Sequence, residues 1–225
     1  MSIPTIAVAY GDGNAPEVME SVLTILREAG APIRIETVEI GSRIYAMGSE
    51  TGILPLAWPV LQRTGVLLMA PIEAPENKQH TAEAIKERMG LADVEPECFH
   101  PLTLTLSPAG AEGSGVFVAG EGEATAKAYK NESFALFQPI YKKGSLDKKG
   151  RSDPSPMLHA TIIMLMHIGL HDTAHTIQNA WIAAIEDGFG KKRSKNREKF
   201  VAAITERLGR LPARCTPAHH LGQPQ

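Results

Sequence analysis

Cysteine is scarce: Cys98 and Cys215 are the only two, and they stand far apart in the chain. That excludes a disulfide framework and fits a reducing cytoplasm. Charge of one sign is not in excess, with 23 Lys+Arg against 25 Asp+Glu and a formal net charge of −2. No global field draws the chain to nucleic acid or to an anionic membrane. Long hydrophobic runs are missing too. The longest apolar stretch, Met157 to Met166, carries His159 and is too short to span a bilayer. A strand pattern begins at Thr5, so no leader peptide is expected. No internal repeat is found. What is present is an ordinary balance, 43% hydrophobic and 21% charged over 225 residues, enough to bury a sizeable core.

The pattern along the chain alternates strand and helix. Thr5–Ala9 is a β-branched, apolar run that stops at the turn signal Tyr10-Gly11-Asp12-Gly13. Pro16-Glu17 opens a helix with an apolar stripe at Val18, Val22, Leu23, Ile25 and Leu26, ended by Gly30. Ile33–Ile40 alternates with period two and predicts a half-buried strand. Trp58–Arg63 reads as a short helix, Gly65–Ala70 as a strand covered on both faces, and Thr81–Met89 as a short helix or turn. Leu102–Leu106, Val116–Ala119 and Ser133–Phe137 are further strand candidates. A helix follows from Pro156 to Ile168, a second from Asp172 as cap to Asp187, and a third from about Arg197 to Leu208. The tail from Leu211 is rich in Pro and His, and order is not expected there. This alternation gives an α/β layered class and, by itself, no function.

Motifs carry the reading further. Ile6–Met19 (IAVAYGDGNAPEVM) resembles the opening of the decarboxylating isocitrate/isopropylmalate dehydrogenases, whose first strand ends in a GDGIGPE-type turn. Later matches come in the family's order. Glu50-Thr51-Gly52 resembles its acidic-Gly turn, Leu67–Pro75 its strand and loop, and Gly90–Pro96 its "GLYANVRP". Phe134–Pro139 resembles the strand before the cofactor loop, Met157–Gly188 the paired helices that follow, and Phe200–Leu211 a C-terminal helix. Gln178-Asn179-Ala180-Trp181 is close to the isocitrate branch. The resemblance implies the family's large domain: a mixed, mostly parallel sheet with helices on both faces, over residues 1–210 as one domain, with 211–225 as tail.

The resemblance also implies a reaction, oxidation of a 2-hydroxy acid followed by decarboxylation. That chemistry needs a divalent metal, arginines that grip carboxylates and a Lys/Tyr pair for proton transfer. Residue by residue, this chain departs from it. The family's lysine falls on Met69 and its two loop threonines on Glu73 and Ala74. The substrate helix positions are His80, Ala82 and Lys86, and the arginine of "VRP" falls on Glu95, a reversal of charge. A third arginine aligns with Gly120, ahead of Glu121-Gly122-Glu123. Between about Glu123 and Ser133 the resemblance implies a deletion. It takes most of the small domain, the catalytic Lys and Tyr, the metal-binding aspartates and the helices of the usual dimer. Lys127, Tyr129 and Lys130 fall at the junction. The cofactor loop has changed too: its Gly144 and Ser145 persist, but Tyr141 replaces the family's His, Lys142 and Lys143 make it basic, and Asp153-Pro154 stands for the family's Asn-Pro.

Each lost charge-assisted grip removes about 1.5–3 kcal/mol of substrate affinity. The expectation is therefore a pseudoenzyme with no catalytic residue assigned. Glu73, His80, Lys86 and Glu95 are its degenerate substrate positions. Tyr141, Lys142, Lys143, Gly144, Ser145 and Asp153 form a vestigial cofactor site for which NAD(P) is the cofactor the resemblance admits. Met69, Ala74 and Ala82 are expected to serve packing. Two basic loops, Lys142–Arg151 and Lys191–Lys199, hold 11 of the 23 basic residues. They suit a small anionic ligand, or they are two solvated loops. Aromatics do not interleave with them, which speaks against nucleic acid. His159, His167, His171 and His175 lack a completing carboxylate pattern and read as helix positions rather than metal ligands. Glu121 and Glu123 read as a polar turn, and the methionines of Met157–Ile168 as core. Partner and oligomeric state stay open at this stage.

Overall fold

A computed structural model describes residues 3–100, 102–105, 116–119, 123–141, 153–185 and 197–208. In chain order they form β1 (Thr5–Ala9), α1 (Ala15–Glu28), β2 (Arg34–Thr37), α2 (Ser42–Ala46), α3 (Ala57–Thr64), β3 (Val66–Met69) and α4 (Thr81–Arg88). There follow β4 (Glu97–Phe99), β5 (Leu102–Thr105), β6 (Val116–Ala119), β7 (Ala126–Lys130), β8 (Ala135–Pro139), α5 (Ser155–His167), α6 (His171–Ala184) and α7 (Arg197–Leu208).

Six strands make one sheet in the order β2-β1-β3-β8-β7-β4. β1 runs parallel to β2 and β3, and β3 parallel to β8. β7 is antiparallel to both of its neighbours, β8 and β4. The sheet is thus mixed and mostly parallel. β5 and β6 pair with each other in a separate antiparallel ribbon.

Period-two alternation sorts the strand side chains onto two faces. Ile6, Val8, Leu68 and Phe137 point to one, where α1, α5, α6 and α7 supply Leu26, Met157, Met164, Ile177 and Ile204. Ala7, Leu67, Met69 and Leu136 point to the other, against Tyr45, Leu61, Ala82 and Ile85 of α2, α3 and α4. Helices cover both faces. α5 is buried along nearly its whole length, as a helix that is apolar all round must be. Its Met157 and Met164 are core residues.

Local signals explain the boundaries. Pro16 lies in the first turn of α1 and Glu17 at its positive end. α3 stops at Gly65, whose φ of +66° lets its N–H close onto Leu61 O. Three expectations need correction. The strand within 33–40 is only Arg34–Thr37, and it lies at the sheet edge with Ile35 37% exposed, because no strand among the described residues pairs with its outer side. The strand at 133–137 is shifted to Ala135–Pro139. Asp172 does not cap α6: Leu170 holds that position, and Asp172 sits in the first turn, where its charge faces the positive helix end. β4 and β7 are additional strands. The expected tail, 211–225, lies outside the described residues, as do Cys215, Gly120, Glu121 and most of both basic loops.

Candidate functional site

The sheet has a switch point. From β1 the chain leaves through α1 on one face to β2, then returns through α2 and α3 on the other face to β3, on the opposite side of β1. The loops beyond β1 and β3 therefore diverge, and open α/β sheets bind ligands in that crevice at the carboxyl ends of their strands.

Asp12 organises this crevice. Its N–H donates to Pro71 O at 2.9 Å. Its carboxylate accepts from Ser42 N at 2.9 Å, Ser42 Oγ at 2.6 Å and Glu73 N at 2.9 Å. One side chain thus ties the loops after β1, β2 and β3. The close approach needs glycine: a Cβ on Gly11, whose φ is +75°, would stand 2.3 Å from Pro71 O. Asp12 thus spends its acceptor capacity on the fold. A second tie lies beside it. The Tyr45 hydroxyl donates to Gln79 O at 2.6 Å and meets Thr81 Oγ1 at 2.9 Å, while Thr81 Oγ1 donates to Thr51 O at 2.9 Å.

The substrate positions expected from sequence are strung along the chain from this crevice through α4. Glu73 is exposed and gives its backbone N–H to Asp12. His80 is exposed and caps α4, its Nδ1 accepting from Ala82 N at 3.3 Å. Lys86 is half-buried, ion-paired to Glu83 at 2.7 Å and set over the Tyr129 ring at 4.7 Å. Glu95 is exposed. No hydrogen bond or ion pair joins these four to one another among the described residues. Met69 and Ala82 are buried, and Ala74 packs against the same core, as expected of packing residues. At the junction Lys127 also approaches the Tyr129 ring, at 5.5 Å, and Lys130 pairs with Glu97 at 2.6 Å.

Of the cofactor positions, Lys142, Lys143, Gly144 and Ser145 lie outside the described residues. Tyr141 stands just beyond β8. Burial, and then the Asp153 carboxylate, drives its phenol well above the usual range, opposed by the Met157 backbone. Asp153 Oδ1 accepts from Ser155 N at 2.9 Å and so steadies the start of α5. His159 is more deeply set than a helix-surface position: only 3% exposed, it meets Thr125 Oγ1 through Nδ1 at 2.7 Å, between the rings of Phe99 and Trp181. Burial pushes its pKa down to about 4, so it is neutral at pH 7. His167, His171 and His175 are exposed. Among the described residues no three His, Cys, Asp or Glu gather as a cation would require.

No local sequence pattern marks a groove of about 710 Å³ between α1 and α7, lined by Tyr10, Glu17, Glu20, Arg197, Val201 and Thr205 among others. An Arg197–Glu17 ion pair bridges it. The Tyr10 hydroxyl donates to Glu20 at 2.7 Å, and its pKa is raised to about 12 by burial and then by that bond. The signal was weak because the two walls are about 180 residues apart in sequence.

No protein-family model matches the chain. It is 44% identical over 107 residues to the isocitrate dehydrogenase [NADP] of Rickettsia felis, which covers 46% of this chain and 22% of that enzyme. It is 24% identical over 339 residues to the isocitrate dehydrogenase [NADP] of Rickettsia typhi, covering 92% of this chain and 70% of that enzyme. Since the chain has 225 residues, at least a third of that alignment lies opposite gaps in it. The chain thus spans about a fifth of the relative it matches at high identity, and it is short beside both. Among solved structures, the TT0538 protein of Thermus thermophilus superposes with a TM-score of 0.71 at 15% identity, over 92% of this chain and 68% of that one. The isocitrate dehydrogenase of Methylococcus capsulatus superposes at 0.70 with 12% identity, over 91% and 99%.

Proposed function

We propose that this chain, which belongs to the isocitrate/isopropylmalate dehydrogenase family and is short for it, works by binding a small anionic ligand or a protein partner and not by oxidative decarboxylation. One observation carries this reading. The positions that the family resemblance assigns to the substrate hold Glu73 and Glu95, two exposed negative charges, with His80 capping α4 and Lys86 already engaged by Glu83 and Tyr129. A polycarboxylate meets repulsion there where the family's chemistry requires bidentate cations. Residues 1–210 act as the ligand-binding unit and 211–225 as its tail. An exposed, unpaired Cys98 suits the reducing cytoplasm. The test is isocitrate-dependent reduction of NAD or NADP by the purified chain with magnesium present. No turnover is expected. Turnover above background would overturn the reading.

A second reading, a nucleotide-binding oxidoreductase working with NAD(P), is favoured by the intact Gly11-Asp12-Gly13 turn at the switch point. Thermal unfolding separates the two. A ligand at a hundredfold excess over its Kd adds about 2.7 kcal/mol to stability. A rise in Tm with NAD or NADP supports the second reading, and silence from both leaves the first.

A further inference from the structure

From the open edge of the sheet we infer that β2 pairs antiparallel with β2 of a second copy, making a two-fold dimer with one continuous sheet. Arg34 N donates to Pro4 O at 2.8 Å and Val38 N to Val8 O at 3.0 Å, so residues 34, 36 and 38 turn their backbone groups toward β1. Ile35 and Thr37, between them, turn theirs outward, where the sheet has no further strand among the described residues. An uncovered edge of this kind is a template for another strand. Ile35 is 37% exposed, a large apolar side chain in the middle of that edge.

The sequence of the edge is complementary to itself. An antiparallel pairing centred on Ile35 sets Ile35 opposite Ile35 of the second copy and Arg34 opposite Glu36, twice over. A parallel pairing in register would instead oppose Arg34 to Arg34 and Glu36 to Glu36. Ile35 lies in register with Ile6, while Arg34 and Glu36 lie with Thr5 and Ala7 and therefore share the other face. Glu36 is already oriented there by Arg63, which grips both carboxylate oxygens at 2.8 and 2.6 Å. Arg34 is exposed, with no ion pair among the described residues. In the dimer it completes an Arg63–Glu36–Arg34 row at each end of the two-fold. The arrangement is isologous: one patch meets its own copy.

Sedimentation equilibrium on the full chain tests this. A concentration-dependent dimer is expected. Arg34→Glu sets like charges opposite each other at two places, and it should weaken the dimer by roughly tenfold or more while leaving the circular dichroism unchanged. A second variant reads the geometry directly. In a Cys98→Ser, Cys215→Ser background, Ile35→Cys places two thiols at a pair with Cα atoms about 5.5 Å apart, within disulfide range. Oxidation should then yield a covalent dimer, and Glu39→Cys in the same background should not. A chain that stays monomeric at every concentration overturns the inference. So does a dimer indifferent to Arg34→Glu that Ile35→Cys fails to cross-link.

Discussion

Gly11 shows how much a single position can hold. Its φ is +75°, and any Cβ there meets the Pro71 carbonyl at 2.3 Å, a backbone atom that cannot swing aside. Gly11→Ala is therefore expected to destabilise the fold by about 3 kcal/mol, through left-handed strain and the loss of the β1–β3 loop contact. Urea unfolding of the variant measures it. His159 gives a pH dependence of definite sign. Buried, its pKa is about 4 against the ordinary 6.5, so between those values the unfolded chain binds a proton that the folded chain refuses. Stability contributed by the neutral ring is complete above about pH 6.5 and falls as the pH drops toward 4. The loss approaches about 3 kcal/mol for a shift of this size. A replacement that never titrates, His159→Gln, should flatten the pH 4–6.5 limb of the stability curve. An unchanged limb would place the sensitivity elsewhere.

At the scale of elements, helices were the legible part. α1, α3, α5 and α7 were each read from the sequence, α1 with its stop at Gly30, and each forms where it was read, whereas Gly65, read as the start of a strand, closes α3 instead. β4 and β7 were not legible. Their sequences, ECF and AKAYK, are short and mixed, and only pairing with strands distant in sequence makes them strands. The alternation in 33–40 was legible, but alternation cannot say whether a strand has one neighbour or two, and among the described residues β2 has one. The site divides in the same way. Glu73, His80, Lys86 and Glu95 were read as positions, whereas the Asp12 tie joins residues 30 and 61 apart and leaves no local mark. β3 offers a test of how far the element has been repacked. Met69 is 1% exposed, in the layer of Leu61, Ile85 and Leu136. Met69→Lys installs the residue type that the resemblance implies at this position but sets an ammonium in that layer. It should cost about 3 kcal/mol or more and depress the lysine pKa, without bringing dehydrogenase activity. A variant as stable as the parent would show that a polar environment survives there.

Across the whole molecule, stability should grade from the centre of the sheet to its edges. β1, β3 and β8 are neighbours, flanked by strands on both sides and covered by helices on both faces. Their amides can exchange only when the two helical layers separate, which is global unfolding. Among the described residues β2 keeps one side open, and β4 ends the sheet opposite. In hydrogen exchange read by mass spectrometry, peptides over Val66–Met69 and Ala135–Pro139 should exchange last, and those over Arg34–Thr37 and Glu97–Phe99 much earlier. The two edges then respond differently to concentration. If β2 pairs with its own copy, raising the protein concentration protects the Arg34–Thr37 amides and leaves Glu97–Phe99 unaffected, since mass action stabilises only the bonds that the dimer makes. Protection of both edges together would point to a change in the monomer rather than to an interface. Equal, concentration-independent exchange at both edges would mean that β2 stays open. In Arg34→Glu the concentration effect at Arg34–Thr37 should vanish while the slow core of β1, β3 and β8 is preserved, so one experiment separates loss of the dimer from loss of the fold.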